Sequence, residues 1–273
     1  MDLRPYSPSS LLINAAVATL NYQPFIITDD IQTGVAYSWL HSADPRDDRF
    51  HKFVFRRGRI APEIWDRAAD ANGRLRAMYD DFVGAIARRF PGGSLLDVGC
   101  NNGYYPVRAE QLGMRGCAGM DRRPQHWASI KLLNSITGTS VSFLNRTYSP
   151  DSRNAKAGKR FDVVVASAVM CHLPDPLNFL AFLGSVAKEA IFFWGQMLDT
   201  DDYLVAYNEP NRFAFTTRTF PFGFDDNTRI SRGLFRKSME LMGFRRIVEI
   251  PYRENWLPAD WYAPHRAWLC LRD

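Results

Sequence analysis

Ser94-Leu-Leu-Asp-Val-Gly-Cys-Asn-Asn-Gly-Tyr-Tyr-Pro106 is an apolar run that ends in an acid and opens through a glycine-bearing turn into a helix-like segment. It reads as the first strand, ligand turn and first helix of a nucleotide-type α/β domain. A buried parallel strand over Ser94 to Val98 delivers the backbone to a tight turn. There Gly99 and Gly103 can take conformations closed to residues with a Cβ, and a ligand can lie against the main chain. Asp97, at the carboxyl end of the strand, faces the crevice in which open α/β sheets bind ligands. The spacing is Asp-x-Gly-x-x-x-Gly, with Asn101 where a middle glycine often stands. It differs from Gly-x-Gly-x-x-Gly, whose helix N-terminus holds a pyrophosphate. An acid beside the turn repels phosphate and suits an ammonium group. A strand-to-helix turn with no ligand would show the same spacing.

The following residues extend the pattern. About twenty residues on, Gly116-Cys-Ala-Gly-Met-Asp121 reads as a second short strand ending in an acid, where such folds bond ribose hydroxyls. Asp121 could equally cap the helix that follows Arg122 and Arg123, expected from Pro124 to about Ile136. Val141 to Leu144 is a third apolar run. Phe161-Asp-Val-Val-Val-Ala166 is a continuous fourth, leading through Ser167-Ala-Val-Met-Cys-His172 into Leu-Pro-Asp-Pro176. Strands alternating with helices predict a parallel sheet covered on both faces. Glu189 to Trp194 is the fifth strand, Ser231 to Met242 a helix capped by Gly243, and Phe244–Ile250 with His265–Leu271 a closing antiparallel pair.

The Asp97-to-Gly103 motif resembles motif I of class I S-adenosylmethionine (SAM)-dependent methyltransferases, and the acid at Asp121 and the later strands follow in the order such folds show. That resemblance implies a Rossmann-like, seven-stranded, mostly parallel sheet with an antiparallel closing strand, preceded by an N-terminal extension. It also implies SAM as cofactor. Asp97, Gly99, Cys100, Asn101 and Gly103 would hold its amino-acid end, and Asp121 with Arg122 the ribose side. Tyr148 and Ser149, in the Asn145–Ser152 stretch, stand where the family contacts adenine, although a polar surface loop has the same composition. Ser167 and Ala168 would face the methionine portion, where small side chains leave room for the methyl group.

From about Tyr79 onward the chain further resembles the branch that includes the tRNA wobble-uridine carboxymethyltransferase. The shared marks are the first motif, Phe161-Asp162 with Val169-Met-Cys-His172, Pro210-Asn-Arg-Phe-Ala214, Gly243-Phe244 and Ala263-Pro-His-Arg-Ala267. By that likeness Arg212 is a pocket residue and Arg266 a cofactor-side or substrate-side arginine; either could also be a surface ion-pair partner. Cys171 stands where the branch has a tyrosine that reads the cofactor's extra carboxylate. The branch's pocket lysine has no counterpart near Met78. These departures point to ordinary SAM and methyl transfer.

Composition bounds the rest. With 273 residues, 46% of them hydrophobic, the chain can bury one large core or a domain with a substantial extension. No apolar run approaches the roughly eighteen residues of a membrane span. Met1-Asp-Leu-Arg-Pro-Tyr is followed by no signal-peptide pattern, so a soluble, cytoplasmic protein is expected. Cys100, Cys117, Cys171 and Cys270 form no Cys-x-x-Cys pair, so free thiols and no metal site are expected. A net charge of +5 is spread over scattered arginine pairs, which makes a nucleic-acid partner the lesser expectation. The densest basic cluster, Lys52-Phe-Val-Phe-Arg-Arg-Gly-Arg59, reads as an amphipathic strand and turn before it reads as a phosphate track.

Residues 1–90 form an N-terminal helical or lid extension, and residues 91–273 the cofactor domain. In the extension, Phe25 to Thr28 is a short strand. Ile64, Ala68, Leu75, Met78, Phe82 and Ile86 recur at helical spacing between Pro62 and Phe90. Tyr37, Trp39 and His41 could wall the substrate or pack as plain core. An insertion at about 195–232, rich in aromatic and charged residues, carries Tyr203, Tyr207, Glu209, Arg212 and Phe213 as substrate-side candidates.

Methyl transfer from a sulfonium is an in-line displacement, so alignment and water exclusion do most of the work. A base is needed only when the acceptor loses a proton at the transition state. His172 is the nominee by position, with a loop-fixing hydrogen bond as its other role; Glu209 and His41 follow. Three readings are carried: methyl transfer to a small-molecule or glycan-type acceptor, tRNA (carboxy)methylation, and a non-catalytic SAM-binding scaffold. The missing dinucleotide glycine pattern disfavours an NAD-linked dehydrogenase.

Overall fold

The computed structural model describes residues 23–28, 31–33, 54–56, 58, 62–146, 148, 160–173, 175–207, 228–251 and 265–273. Among the described residues, strands β1 (Ile26–Thr28), β2 (Ile31–Thr33) and β3 (Val54–Arg56) come first, then helix α1 (Pro62–Arg89). Next are β4 (Leu95–Val98), α2 (Tyr104–Gln111), β5 (Ala118–Asp121), α3 (Gln125–Thr137), β6 (Ser142–Asn145) and β7 (Phe161–Ser167). A 3-10 turn over Met170–His172 leads to α4 (Pro176–Val186) and β8 (Ala187–Gln196). The chain ends with β9 (Val205–Ala206), β10 (Arg229–Ile230), α5 (Arg232–Leu241), β11 (Arg246–Glu249) and β12 (His265–Leu271).

Seven strands make the main sheet in the order β11-β12-β8-β7-β4-β5-β6. The β4–β7, β7–β8 and β5–β6 pairs are parallel, while β12 runs antiparallel to both β8 and β11. This is the mostly parallel sheet with a closing antiparallel strand that the sequence implies. The single helix α1 covers the whole Pro62–Phe90 periodicity, with Leu75, Met78, Phe82 and Ile86 buried on one face. Proline at its start and Arg88 and Arg89 in its last turn suit the two ends of a helix. Among the described residues no helix is long and apolar enough to cross a membrane.

The chain divides into two compact units. The first comprises Met1–Gly93, Cys100–Arg146 and Pro251–Trp261. It holds the β1-β2-β3 antiparallel sheet, α1, α2, β5, α3 and β6, and an aromatic cluster of Phe25, Tyr79, Tyr104 and Tyr105. The basic cluster at 52–59 contributes β3, the strand-and-turn alternative. Gln32 on β2 donates through Nε2 to the Trp65 carbonyl at 3.1 Å and accepts from Asn72 Nδ2 at 3.2 Å, fastening that small sheet to α1.

The second unit comprises Ser94–Gly99, Thr147–Ile250 and Tyr262–Asp273. Its β7 and β8 are the continuous apolar runs expected of parallel strands buried on both faces: Val163–Ala166 and Ala190–Trp194 are buried throughout. Asp175 caps α4 by accepting from the Asn178 N–H at 3.0 Å, with Pro176 at the first helical position. Ser231 caps α5 in the same way through the Leu234 N–H at 3.1 Å.

Candidate functional site

The chain leaves the second unit at Gly99 and enters the first at Cys100, so the acid and the turn that follows it are two local arrangements. In the second unit, Asp97 sits at the carboxyl end of β4 and is 2% exposed. Gly99 has φ +76°, and a Cβ there would meet Val169 Cγ2 at 2.5 Å, so both conformation and space require glycine. Val169 follows the end of β7, where Ser167 and Ala168 are half-buried. Ala168 takes the left-handed conformation, φ +50°, and its N–H donates to the Trp194 carbonyl at 2.8 Å. His172 lies exposed in the following turn, its backbone N–H donating to the Val169 carbonyl at 3.0 Å. The Thr228 N–H donates to the Cys171 carbonyl at 3.1 Å, which ties that turn to the chain just before β10.

In the first unit, the turn from Cys100 to Gly103 is built around Asp121. The Cys100 N–H donates to the Met120 carbonyl at 3.1 Å. The Asn101 N–H donates to Asp121 Oδ2 at 3.2 Å, and the Arg123 N–H to Oδ1 at 2.9 Å. The carboxylate at the end of β5 is therefore held by one backbone donor on each oxygen, with lone pairs left over. Asn101 is itself left-handed, φ +51°, a conformation asparagine tolerates better than other non-glycine residues. Its side-chain Oδ1 is buried with no hydrogen-bond partner. Gly103 has φ +89°, and a Cβ there would meet Ile130 Cγ1 of α3 at 2.6 Å.

The fully buried Asn102 bonds through Oδ1 to His126 Nδ1 at 3.2 Å. Burial lowers the His126 pKa; the Asp121 charge works against that shift and Arg123 adds to it. A neutral imidazole thus pins the turn to the first turn of α3. Sequence reasoning missed this pair, and it missed Gln23, which also bonds the turn. An isolated histidine or glutamine carries no periodic or spacing signal; only His126's place shortly after Asp121 could have drawn notice.

The remaining candidates are spread more widely. Tyr148 packs its ring on Phe179 at 5.3 Å and points its hydroxyl toward the Asp175 carbonyl at 3.5 Å. Burial raises its pKa, helped by the Asp175 charge. Arg122, Tyr203 and Tyr207 are exposed. Arg266 reaches Asp199 at 3.4 Å and Glu249 at 3.7 Å, in an ion network where Arg232 also meets Asp199 at 2.9 Å. Tyr37, Trp39, His41, Ser149, Glu209, Arg212 and Phe213 lie outside the described residues. Among the described residues no group of three or more His, Cys, Asp or Glu side chains is placed to hold a metal ion.

The chemistry of the first-unit turn is that of an acceptor site. Asp121 offers spare carboxylate lone pairs, and Asn101 offers a buried oxygen with nothing bonded to it. Such a set fits hydroxyl and ammonium donors, as on a ribose and an amino-acid end, and does not fit a phosphate, which brings only acceptors. The residues present thus fit SAM.

Comparison with known proteins agrees. A family model described as "Methyltransferase domain" matches residues 69–232, from within α1 to the start of α5. A ubiquinone biosynthesis O-methyltransferase of Cereibacter sphaeroides is 35% identical over 99 residues, 36% of this chain and 38% of that protein. A tRNA U34 carboxymethyltransferase of Campylobacter hominis is 28% identical over 120 residues, 42% of this chain and 40% of that protein. The chain thus spans about two-fifths of the length of the curated relatives it matches. In fold it is similar to the N-terminal domain of EvdMO1, solved in the presence of SAH and D-fucose. The TM-score is 0.55 and the identity 17%, over 72% of this chain and 83% of that one. The chain belongs to the methyltransferase-domain family, the SAM-dependent class that its Asp97-to-Gly103 motif resembles.

Proposed function

We propose that this protein transfers the methyl group of SAM to a small-molecule or glycan-type acceptor. The observation that carries the cofactor assignment is the Asp121 carboxylate, fixed by the Asn101 and Arg123 backbone N–H groups beside the unpartnered Asn101 Oδ1. SAM, when bound, supplies an electrophilic methyl group on a sulfonium. The residues do the rest. Asp97 receives the ammonium group, Asp121 the ribose hydroxyls, and the glycines of the turn let the main chain approach the ligand. Ser167 and Ala168 are small enough to leave room at the methyl group. His172, exposed in the turn after β7, can take a proton from a hydroxyl acceptor. Residues 1–90 act as an N-terminal helical or lid extension and residues 91–273 as the cofactor domain, whose insertion at about 195–232 selects the acceptor. All four cysteines are unbridged, which supports a reducing, cytoplasmic setting.

The 35% likeness to a ubiquinone biosynthesis O-methyltransferase supports a small acceptor. The likeness to a tRNA carboxymethyltransferase favours a second reading on RNA, weakened by Cys171 at the position of the cofactor-reading tyrosine. Incubation with methyl-labelled SAM separates the two, using a panel of phenols and monosaccharides beside total tRNA. Label is expected in the small acceptors, falling about a hundredfold or more in His172→Ala. Label confined to tRNA establishes the second reading. SAM binding with no transfer to any acceptor leaves the scaffold reading.

A further inference from the structure

The geometry points to Gln23 as a positioning residue for SAM, a side chain from the leading segment that staples the cofactor turn into its working conformation. Gln23 is 5% exposed and lies 77 residues before the turn in sequence. Its amide spans the turn from end to end. Nε2 donates to the Cys100 carbonyl at 3.2 Å, and Oε1 accepts from the Tyr104 N–H at 3.1 Å. The two bonds bracket Asn101, Asn102 and Gly103, two of which, Asn101 and Gly103, are left-handed.

The second bond replaces a missing cap. Helix α2 begins after Gly103, which has no side chain to offer, and no side-chain cap is made there. The first N–H groups of a helix have no partner within it, and Gln23 satisfies that of Tyr104. The Cys100 carbonyl also receives the Gly103 N–H at 2.9 Å. Gln23 thus closes a second link over a turn that is already folded back on itself.

The staple is anchored locally. The Phe25 N–H donates to the Gln23 carbonyl at 2.9 Å, curling Gln23-Pro24-Phe25 into a tight bend. Phe25, fully buried, sets its ring 5.6 Å from that of Tyr104, the residue whose amide Gln23 holds. The leading segment therefore reaches the cofactor turn through a specific amide as well as through packing. Removing that amide takes an acceptor from the buried Tyr104 N–H and a donor from the Cys100 carbonyl, which keeps its bond from the Gly103 N–H. The turn then has to be ordered when the ligand arrives, and that cost comes out of affinity.

The inference rests on the SAM reading of the turn, and calorimetric titration with S-adenosylhomocysteine of the full chain tests it through two variants. Gln23→Met keeps the shape and loses both bonds. It is expected to weaken S-adenosylhomocysteine binding about tenfold, the effect of one to two net hydrogen bonds. Gln23→Glu gives a readout that a plain structural role does not move. Protonated, its carboxyl donates to Cys100 and accepts from Tyr104 as the amide does; ionised, it loses the donor and faces a carbonyl oxygen. Burial raises a carboxyl pKa, so this variant should bind like the parent at about pH 5.5 and weaken by about pH 8, while the parent stays flat. A folded Gln23→Met that binds within about twofold of the parent overturns the proposal. So does a Gln23→Glu whose affinity tracks the parent at both pH values. Should the parent bind neither SAM nor S-adenosylhomocysteine, the cofactor reading has failed. Amide exchange at residues 100–104 then decides the staple: faster exchange in Gln23→Met upholds it, and unchanged exchange overturns it.

Discussion

Two residues with side chains stand in the left-handed region among those described, Asn101 and Ala168, one in each arrangement of the candidate site. Asparagine is among the residues that accept this conformation, but an alanine there costs about 1–2 kcal/mol. Strain of this kind persists where the surroundings fix the backbone, and Ala168 is fixed by its N–H bond to the Trp194 carbonyl. Glycine would remove the strain while raising the entropy of the unfolded chain, two opposing effects of similar size. Ala168→Gly should therefore change stability by no more than about 1 kcal/mol in urea unfolding, whereas Ala168→Val should lose about 2–3 kcal/mol because a β-branched side chain is strongly excluded there. A valine variant as stable as the parent would show that residue 168 can leave the left-handed region at no cost. At this scale the sequence was partly legible. Gly99 and Gly103 announce themselves because only glycine serves where a Cβ would strike Val169 or Ile130. Gln23, Asn102 and His126 do not, because their value lies in partners that the fold supplies from far along the chain.

At the scale of elements, β4 and β7 are registered by a polar clamp at their edge. Asp162 Oδ2 accepts from both the Ser94 N–H and the Ser94 hydroxyl at 2.7 Å, and Lys188 reaches Oδ1 at 2.9 Å. Burial pushes the Asp162 carboxyl up, but the Ser94 donors and then Lys188 outweigh it and hold the carboxyl at about 2, below its ordinary 3.8. A carboxyl depressed on folding contributes stability that is fully present above pH 3.8 and is lost as pH falls through about 2. Ser94→Ala removes one donor, so the folded pKa rises toward its ordinary value. The variant should lose about 1 kcal/mol at neutral pH. Its melting temperature should also depend less steeply on pH between 3.8 and about 2. A melting profile parallel to the parent's through that window would mean that the clamp does not set the carboxyl's titration. The long elements were legible for reasons visible here. Val163 to Ala166 and Ala190 to Trp194 are buried on both faces and so read as unbroken apolar runs, and α1 shows its helical stripe from Leu75 to Ile86. Pieces such as β2, β9 and β10, two or three residues each, are too short to carry a period and arise from their pairing partners.

At the scale of the whole molecule, the family match over residues 69–232 takes in β4 through β10 and the candidate cofactor residues from Asp97 to Ala168. The leading segment and the closing strands lie outside it, and they hold Gln23 and Arg266. Arg266, which the family likeness makes a cofactor-side or substrate-side arginine and the sequence equally allows as an ion-pair partner, meets Asp199 and Glu249. Its likeness to a family motif told of position on β12, while its partners depend on where β8 ends and β11 pairs. Donor and acceptor chemistry at the turn remains the firmest link between sequence and function, since the acid and the amide oxygen disfavour a phosphate and suit an amino-acid and ribose ligand, while the glycines let that ligand approach the main chain. Calorimetric titration of the full chain with SAM, S-adenosylhomocysteine and NAD, repeated on Asp97→Ala, tests that link most directly. SAM and its demethylated product should bind with Kd in the micromolar range, roughly −8 kcal/mol, NAD should give no heat, and Asp97→Ala should weaken SAM binding at least about tenfold through loss of a charge-assisted bond. Binding of NAD with SAM silent, or a folded Asp97→Ala variant that holds SAM as tightly as the parent, would contradict the cofactor assignment on which the proposed methyl transfer stands.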